Sequence, residues 1–296
     1  MFPAFLPAGA ANLTEETSLE LARQMQQAEI ATPLSDRTLT TAFVCQGQGD
    51  PPLLLVPGFD SSLFEFRRLV PRLALQRQTW AMDLLGFGFS DRTLPTLDPG
   101  AIKLHLYSFW QQKINRPMIL VGASMGGAAA IDFALTYPDC VAGLVLLDSA
   151  GFAAGPAMGK LMFPPLDSWA TSFLASPGVR RKISEQAYCD RTFVTPDAEL
   201  CAALHLQLPR WKEALIAFTK SGGYNFLSRK IAQISCPTLI VWGRQDRILG
   251  IKDANRFHQA IAKSQLIWID NCGHVPHLEK PEETAAAILS FDPSTP

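Results

Sequence analysis

From about residue 38 onward, short and nearly unbroken apolar runs alternate with stretches of helical spacing. Thr38 to Val44, Leu53 to Val56, Thr79 to Asp83, Met118 to Gly122, Leu144 to Asp148, Thr238 to Trp242 and Gln265 to Ile269 read as strands. Between them, Ser61 and Ser62 offer N-caps for a helix through Phe66, Leu69 and Leu73. Ala101 to Asn115 fits a second helix, and Gly127 to Tyr137, stopped by Pro138, a third. Strands that are apolar throughout must be covered on both faces. With helices between them they form a parallel sheet. The expected fold class is therefore α/β, a doubly wound and mostly parallel sheet with ligands at the carboxyl ends of its strands.

The alternation stops between residues 151 and 225. Prolines stand there at 156, 164, 165, 177, 196 and 209, among the large apolar residues Phe163, Trp169, Phe173, Leu174, Phe193 and Trp211. So much apolar bulk does not suit a linker. The stretch reads as a helical cap folded over the strand ends. Three parts follow: an N-terminal arm and helix (1–34), a core (35–150 and 226–296) and the cap (151–225). The arm opens on Met1-Phe2-Pro3-Ala4-Phe5-Leu6-Pro7, apolar but broken by proline and without the basic start of a secretory signal. It reads as packed on the body, and its apolar side chains also suit peripheral contact with a lipid or membrane surface. Thr14-Glu15-Glu16-Thr17 before Leu19, Leu21, Ala22 and Met25 predicts a capped helix.

Composition narrows the functions available. A chain of 296 residues, 48 % hydrophobic, is long enough for a large core. A net charge of −1 and the lack of a long basic run argue against nucleic acid as a partner. Six scattered cysteines without a C-x-x-C pair point to a reducing, cytoplasmic compartment. No segment approaches the roughly 18 apolar residues of a membrane span. The Gly86-Phe87-Gly88 loop lacks a G-K-[ST] ending and does not follow the first strand, so it reads as a turn and not a phosphate cradle. No cofactor or metal is expected, and the protein is expected to be a monomer or homodimer.

Val121-Gly122-Ala123-Ser124-Met125-Gly126-Gly127 carries the chemistry. A strand entering G-x-S-x-G and leaving into a helix is a nucleophile elbow, which pushes a strained serine out at the strand end. Serine needs a base, and the base needs an acid to orient it. His274 follows the last strand and Asp246 the one before, so both fall at the same sheet edge as Ser124. His277 competes with His274, but it precedes a helix start and reads as structural. Asp148 competes with Asp246, with a structural hydrogen bond under the elbow as its other role. His105, His205 and His258 read as surface or core residues. Cys272 is set aside because the elbow already supplies a nucleophile. An oxyanion needs two N–H donors. The backbone of Met125 is one, and the Pro57-Gly58-Phe59-Asp60 loop offers Phe59 as the other, with Asp60 one residue away.

With these residues in place, the chain resembles the α/β-hydrolase superfamily, in its capped branch of esterases, lipases, thioesterases and C–C hydrolases. The likeness covers about residues 35–150 and 226–296. It rests on Leu53 to Phe59, Asp83 to Asp91, Gly122 to Gly127, Gly243 to Asp246 and Cys272 to Pro281. Pro57 departs from the superfamily's usual histidine before the oxyanion-loop glycine. Ser124, where an aspartate would be needed, argues against haloalkane dehalogenase and epoxide hydrolase chemistry. Phe2 to Pro7, Gly58-Phe59-Asp60-Ser61-Ser62 and Ser221 to Asn225 resemble hydrolases of cyanobacteria and plant plastids, which implies a lipid, pigment or prenyl ester. The expected function is a serine esterase acting through an acyl-enzyme on a small apolar ester. C–C bond hydrolysis, haloperoxidase or perhydrolase activity, and a hydrolase-fold sensor are the alternatives.

Overall fold

A computed structural model describes residues 1–152 and 166–294. Eight strands form one sheet in the order β1-β2-β4-β3-β5-β6-β7-β8. They are β1 (Gln26–Ile30), β2 (Leu39–Gln46), β3 (Leu53–Val56), β4 (Thr79–Met82), β5 (Met118–Ala123), β6 (Val141–Leu147), β7 (Thr238–Gly243) and β8 (Ser264–Ile269). The helices are α1 (Glu16–Gln24), α2 (Val70–Leu73), α3 (Pro99–Lys113), α4 (Met125–Thr136), α5 (Leu166–Ala175), α6 (Pro177–Ala187), α7 (Pro196–Ala203), α8 (Trp211–Ser221), α9 (Lys252–Ala260), α10 (Pro276–Glu279) and α11 (Pro281–Ser290). The doubly wound α/β fold expected from the pattern is present. β3 through β8 run parallel, and β1 and β2 join antiparallel at one edge.

Every residue of β3, β5 and β7 is buried, which is why those strands are apolar throughout. Successive side chains point to opposite faces. Leu54, Val56, Leu120, Leu146 and Ile240 enter one core with α3, α4 and α9. Leu53, Leu55, Val121, Leu147 and Leu239 enter the other with α1, α2 and α11. The arm contributes to this second core: Leu6 is buried, and Phe2 and Phe5 pack against it.

The sequence pattern does not announce β1. Gln26 to Ile30 is largely polar because the strand lies at a solvated edge and is held by backbone pairing from Gln26↔Phe43 to Ile30↔Leu39. The single helix expected from Ser62 to Leu73 is instead a 3-10 turn (Leu63–Phe66) followed by α2. Pro71, which has no N–H, cannot sit inside a continuous helix. The start of α1 is not closed by its own side chains. Asp197 of α7 accepts hydrogen bonds from Thr14 N, Glu15 N (2.9 Å) and Ser18 Oγ (2.6 Å). Arm and insertion are thereby stitched together across 183 residues.

Among the described residues, the stretch between Gly151 and Asn225 contains helices and no strand. α8 buries Trp211, Leu215 and Phe218 against the core. Phe163 and the prolines at 156, 164 and 165 lie outside the described residues. Among the described residues, no helix is long and apolar enough to cross a membrane.

Candidate active site

β5 delivers the chain into a turn whose apex, Ser124, has φ 51° and ψ −118°. A residue with a Cβ is strained there, and the surroundings must hold it in place. Ser124 N donates to Leu147 O at 3.0 Å, while Ser124 O accepts from Gly127 N at 3.0 Å and Ala150 N at 2.9 Å. Close approach explains why glycine follows two residues on. A Cβ on Gly126 would lie 2.2 Å from Val56 O and 2.5 Å from Pro57 O, so the elbow and the loop after β3 fit only without it. Met125 is the first residue of α4, and its peptide N–H belongs to the positive end of that helix.

The turn after β7 carries Asp246, and the loop after β8 carries His274. His274 Nδ1 lies 3.0 Å from Asp246 Oδ2, with both side chains buried. Asp246 Oδ1 accepts from Ile248 N (2.7 Å) and Leu249 N (3.1 Å). Burial opposes the Asp246 charge. The hydrogen bond and charge of His274 outweigh it, with help from these two N–H donors, and hold the carboxyl below its ordinary range. Asp148 behaves oppositely. Burial pushes its carboxyl well above the ordinary range, and the neighbouring Asp246 charge adds to the effect. Its Oδ1 accepts from Gly243 N at 3.0 Å, a structural bond beneath the acid turn.

The histidine loop is fastened to the insertion. His274 N donates to Ala187 O of α6 at 2.6 Å. A Cβ on Gly273 would lie 2.1 Å from that same oxygen. Glu279 gathers Gly273 N (2.7 Å), Cys189 N (3.0 Å) and Asp190 N (2.6 Å). His277 lies three residues further on, in α10. Its Nε2 lies 3.0 Å from Glu65 Oε1, and Glu65 Oε2 accepts from Gly58 N at 2.8 Å. Burial opposes the Glu65 charge, but His277 and the Gly58 N–H prevail and keep its carboxyl low. Cys272 is buried, and burial pushes its thiol far up, so it is not a ready nucleophile.

Ser124, His274, Gly58 and Phe59 line one cavity of about 340 Å³. Leu174, Ile183 and Tyr188 from the insertion and Ile248 from the acid turn make much of its wall apolar. Among the described residues, Asp148, Asp246 and His274 form a group that could ligate a cation, with ligand atoms within 4.8 Å of one another. In it, Asp246 and His274 Nδ1 already engage each other, and burial favours a protonated Asp148, so a cation would have to displace both arrangements.

The structure also places residues whose part the sequence did not signal. His205, read as surface or core, is fully buried, and its Nε2 lies 3.2 Å from Asp60 Oδ1 in the loop after β3. Arg180 and Trp211 reach the same carboxylate. These contacts join segments 120 to 151 residues apart, and local sequence patterns carry no trace of such pairing.

The chain matches the profile of the Alpha/beta hydrolase family over residues 53–287. It is 32 % identical to the alpha/beta hydrolase domain-containing protein VTE7 of Arabidopsis thaliana, across 98 % of this chain and 90 % of that protein. It is 28 % identical to Lipase 1 of Psychrobacter immobilis, across 81 % of this chain and 76 % of the lipase. A solved structure of a thermophilic esterase from Thermogutta terrifontis is similar with a TM-score of 0.75 and 25 % identity, covering 89 % of this chain and 97 % of the esterase.

Proposed function

The chain belongs to the alpha/beta hydrolase family, and we propose that it is a serine hydrolase cleaving carboxylic esters of apolar substrates through an acyl-enzyme on Ser124. The observation that carries this reading is the convergence of three loops. A strained Ser124 and a His274 paired with a buried, charged Asp246 face one largely apolar cavity. The similarity to a lipase and an esterase supports an ester as the bond cleaved.

In this mechanism Ser124 Oγ attacks the acyl carbon as His274 Nε2 takes its proton. Asp246 holds the ring through Nδ1 and stabilises the imidazolium that forms. The negative oxygen of the tetrahedral intermediate is met by the N–H groups of Met125 and Phe59. Gly58 N–H is already given to Glu65, which leaves the Phe59 N–H as the next donor along the loop. His274 returns its proton to the departing alkoxide. A water then attacks the acyl carbon with His274 again as base, and the bond to Ser124 Oγ breaks as His274 returns that proton to it, releasing the acid. Every proton is handled by these side chains, so the cycle requires no metal or cofactor. Leu174, Ile183 and Ile248 offer the acyl or alcohol group an apolar wall, which favours esters with hydrocarbon substituents.

The test is hydrolysis of p-nitrophenyl butyrate and octanoate by the wild type and Ser124→Ala. The expected result is a loss of at least about 1000-fold in kcat, together with labelling of Ser124 by a fluorophosphonate in the wild type. Equal turnover by the two proteins would refute the proposal.

A further inference from the structure

We infer that Asp60 is a positioning residue through which the helical insertion sets the direction of the Phe59 N–H, an inference that rests on the reaction proposed above. Asp60 directly follows Phe59 in the Gly58-Phe59-Asp60-Ser61-Ser62 run. Its backbone is left-handed, with φ 51°, a conformation uncommon for a residue with a Cβ, although aspartate adopts it more readily than most. Its side chain is held on both oxygens. Oδ1 accepts from Trp211 Nε1 at 2.7 Å and lies 3.2 Å from His205 Nε2. Oδ2 accepts from Arg180 Nη1 at 2.7 Å, and Arg180 Nη2 reaches both Asp60 O (3.4 Å) and Ala202 O (2.6 Å). All three side-chain partners belong to the insertion: Arg180 in α6, His205 just after α7, Trp211 at the start of α8.

The other side of Phe59 is held from the core. Gly58 N donates to Glu65, and Glu65 is backed by His277. The Phe59 ring contacts Phe87 of the core and Phe218 of α8, each at 6.1 Å between centroids. The peptide that carries the donor is thus clamped between a core carboxylate on one side and an insertion-held carboxylate on the other. An N–H displaced by a fraction of an ångström hydrogen-bonds the planar ester well and the developing oxyanion poorly. The partners also neutralise a carboxylate that would otherwise stand, buried and uncompensated, one residue from the growing negative charge. Burial opposes the charge on Asp60, yet His205, Arg180 and Trp211 together keep its carboxyl below the ordinary range. The insertion residues that hold Asp60 therefore act on the transition state through it.

The experiment uses the full chain as wild type, Asp60→Asn, Trp211→Phe, the double variant and Ser124→Ala. Turnover of p-nitrophenyl butyrate is measured. So is binding of an alkyl trifluoromethyl ketone, which adds to a serine as an oxyanion, and of its methyl ketone, which stays planar. Asp60→Asn should lower kcat by about 10- to 100-fold and leave KM within about threefold. Affinity for the trifluoromethyl ketone should fall by the same factor as kcat, and affinity for the methyl ketone should be nearly unchanged. Trp211→Phe removes the indole donor to Asp60 while keeping an aromatic ring in the core, and should show the same split, at about 3- to 10-fold, with little further loss in the Asp60→Asn background. If Asp60→Asn does not fold, Trp211→Phe carries the test. The inference is overturned if both variants keep kcat within twofold, or if the loss falls equally on both ketones. Persisting turnover by Ser124→Ala would instead overturn the reaction itself. An inactive Ser124→Ala beside unaffected Asp60→Asn and Trp211→Phe would overturn only the positioning role.

Discussion

Gly126→Ala tests the geometry of the elbow with a single methyl group. The added Cβ would sit 2.2 Å from Val56 O and 2.5 Å from Pro57 O. Contacts of this kind essentially never fall below 3.0 Å, so Val56 O must retreat by about 0.8 Å and Pro57 O by about 0.5 Å. They have little room, because Val56 pairs with Gly122 at the end of β3 and the strand is wholly buried. Overpacking of this sort costs about 1–3 kcal/mol of stability. The displaced segment runs straight into Gly58 and Phe59, so in the proposed reaction the same shift carries the Phe59 N–H away from the oxyanion. Loss of one such donor lowers kcat by about 100- to 1000-fold. The assay pairs p-nitrophenyl butyrate kinetics with urea unfolding. Gly178→Ala in α6 is the control, since a Cβ there meets nothing within 4 Å, and it should keep full activity at equal or slightly higher stability. A Gly126→Ala protein with wild-type kcat and wild-type unfolding midpoint would refute the reasoning.

Two further outcomes are expected. Asp246→Asn leaves an acceptor for Ile248 N and Leu249 N but removes the charge facing His274 Nδ1. Steady-state kinetics should show kcat lower by about 10⁴-fold with KM little changed, and a loss under tenfold would remove Asp246 from the role of acid. The second outcome concerns Asp148, whose carboxyl burial raises well above its ordinary range. The folded state therefore keeps a proton that the unfolded chain releases above about pH 4, and Asp148 makes stability fall as pH rises from there. Asp148→Asn keeps an acceptor for Gly243 N and removes that titration. Urea unfolding at pH 4 to 7 should show a slope less negative by up to about 1.4 kcal/mol per pH unit, and an unchanged slope would refute the assignment.

The strands were legible because burial on both faces demands an apolar residue at every position, a requirement written directly into Leu53 to Val56 and Met118 to Gly122. β1 was not legible, because an edge strand needs no such run and takes its order from β2. The split helix before Leu73 could have been found from Pro71, whose missing N–H is a local signal. The capping of α1 could not, since Asp197 approaches from another part of the chain. At the site, Asp246 and Asp148 stand alike in the sequence, each at or just past the end of a strand. The place of Asp246 after the strand that precedes the histidine loop favours it, and the surroundings separate the two: Asp246 faces His274 and two N–H groups, while Asp148 faces one N–H group and another carboxylate.

By itself the sequence determined what rests on local steric and burial demands. These are the apolar strands of the sheet, the turn that strains Ser124, and the loops after β7 and β8 that hold Asp246 and His274 at the same edge. The tertiary structure alone decided what rests on contacts between distant segments. It set His277 against Glu65, and it tied Arg180, His205 and Trp211 of the insertion to Asp60. Such pairings follow from how the insertion packs onto the core, and no spacing along the chain encodes them.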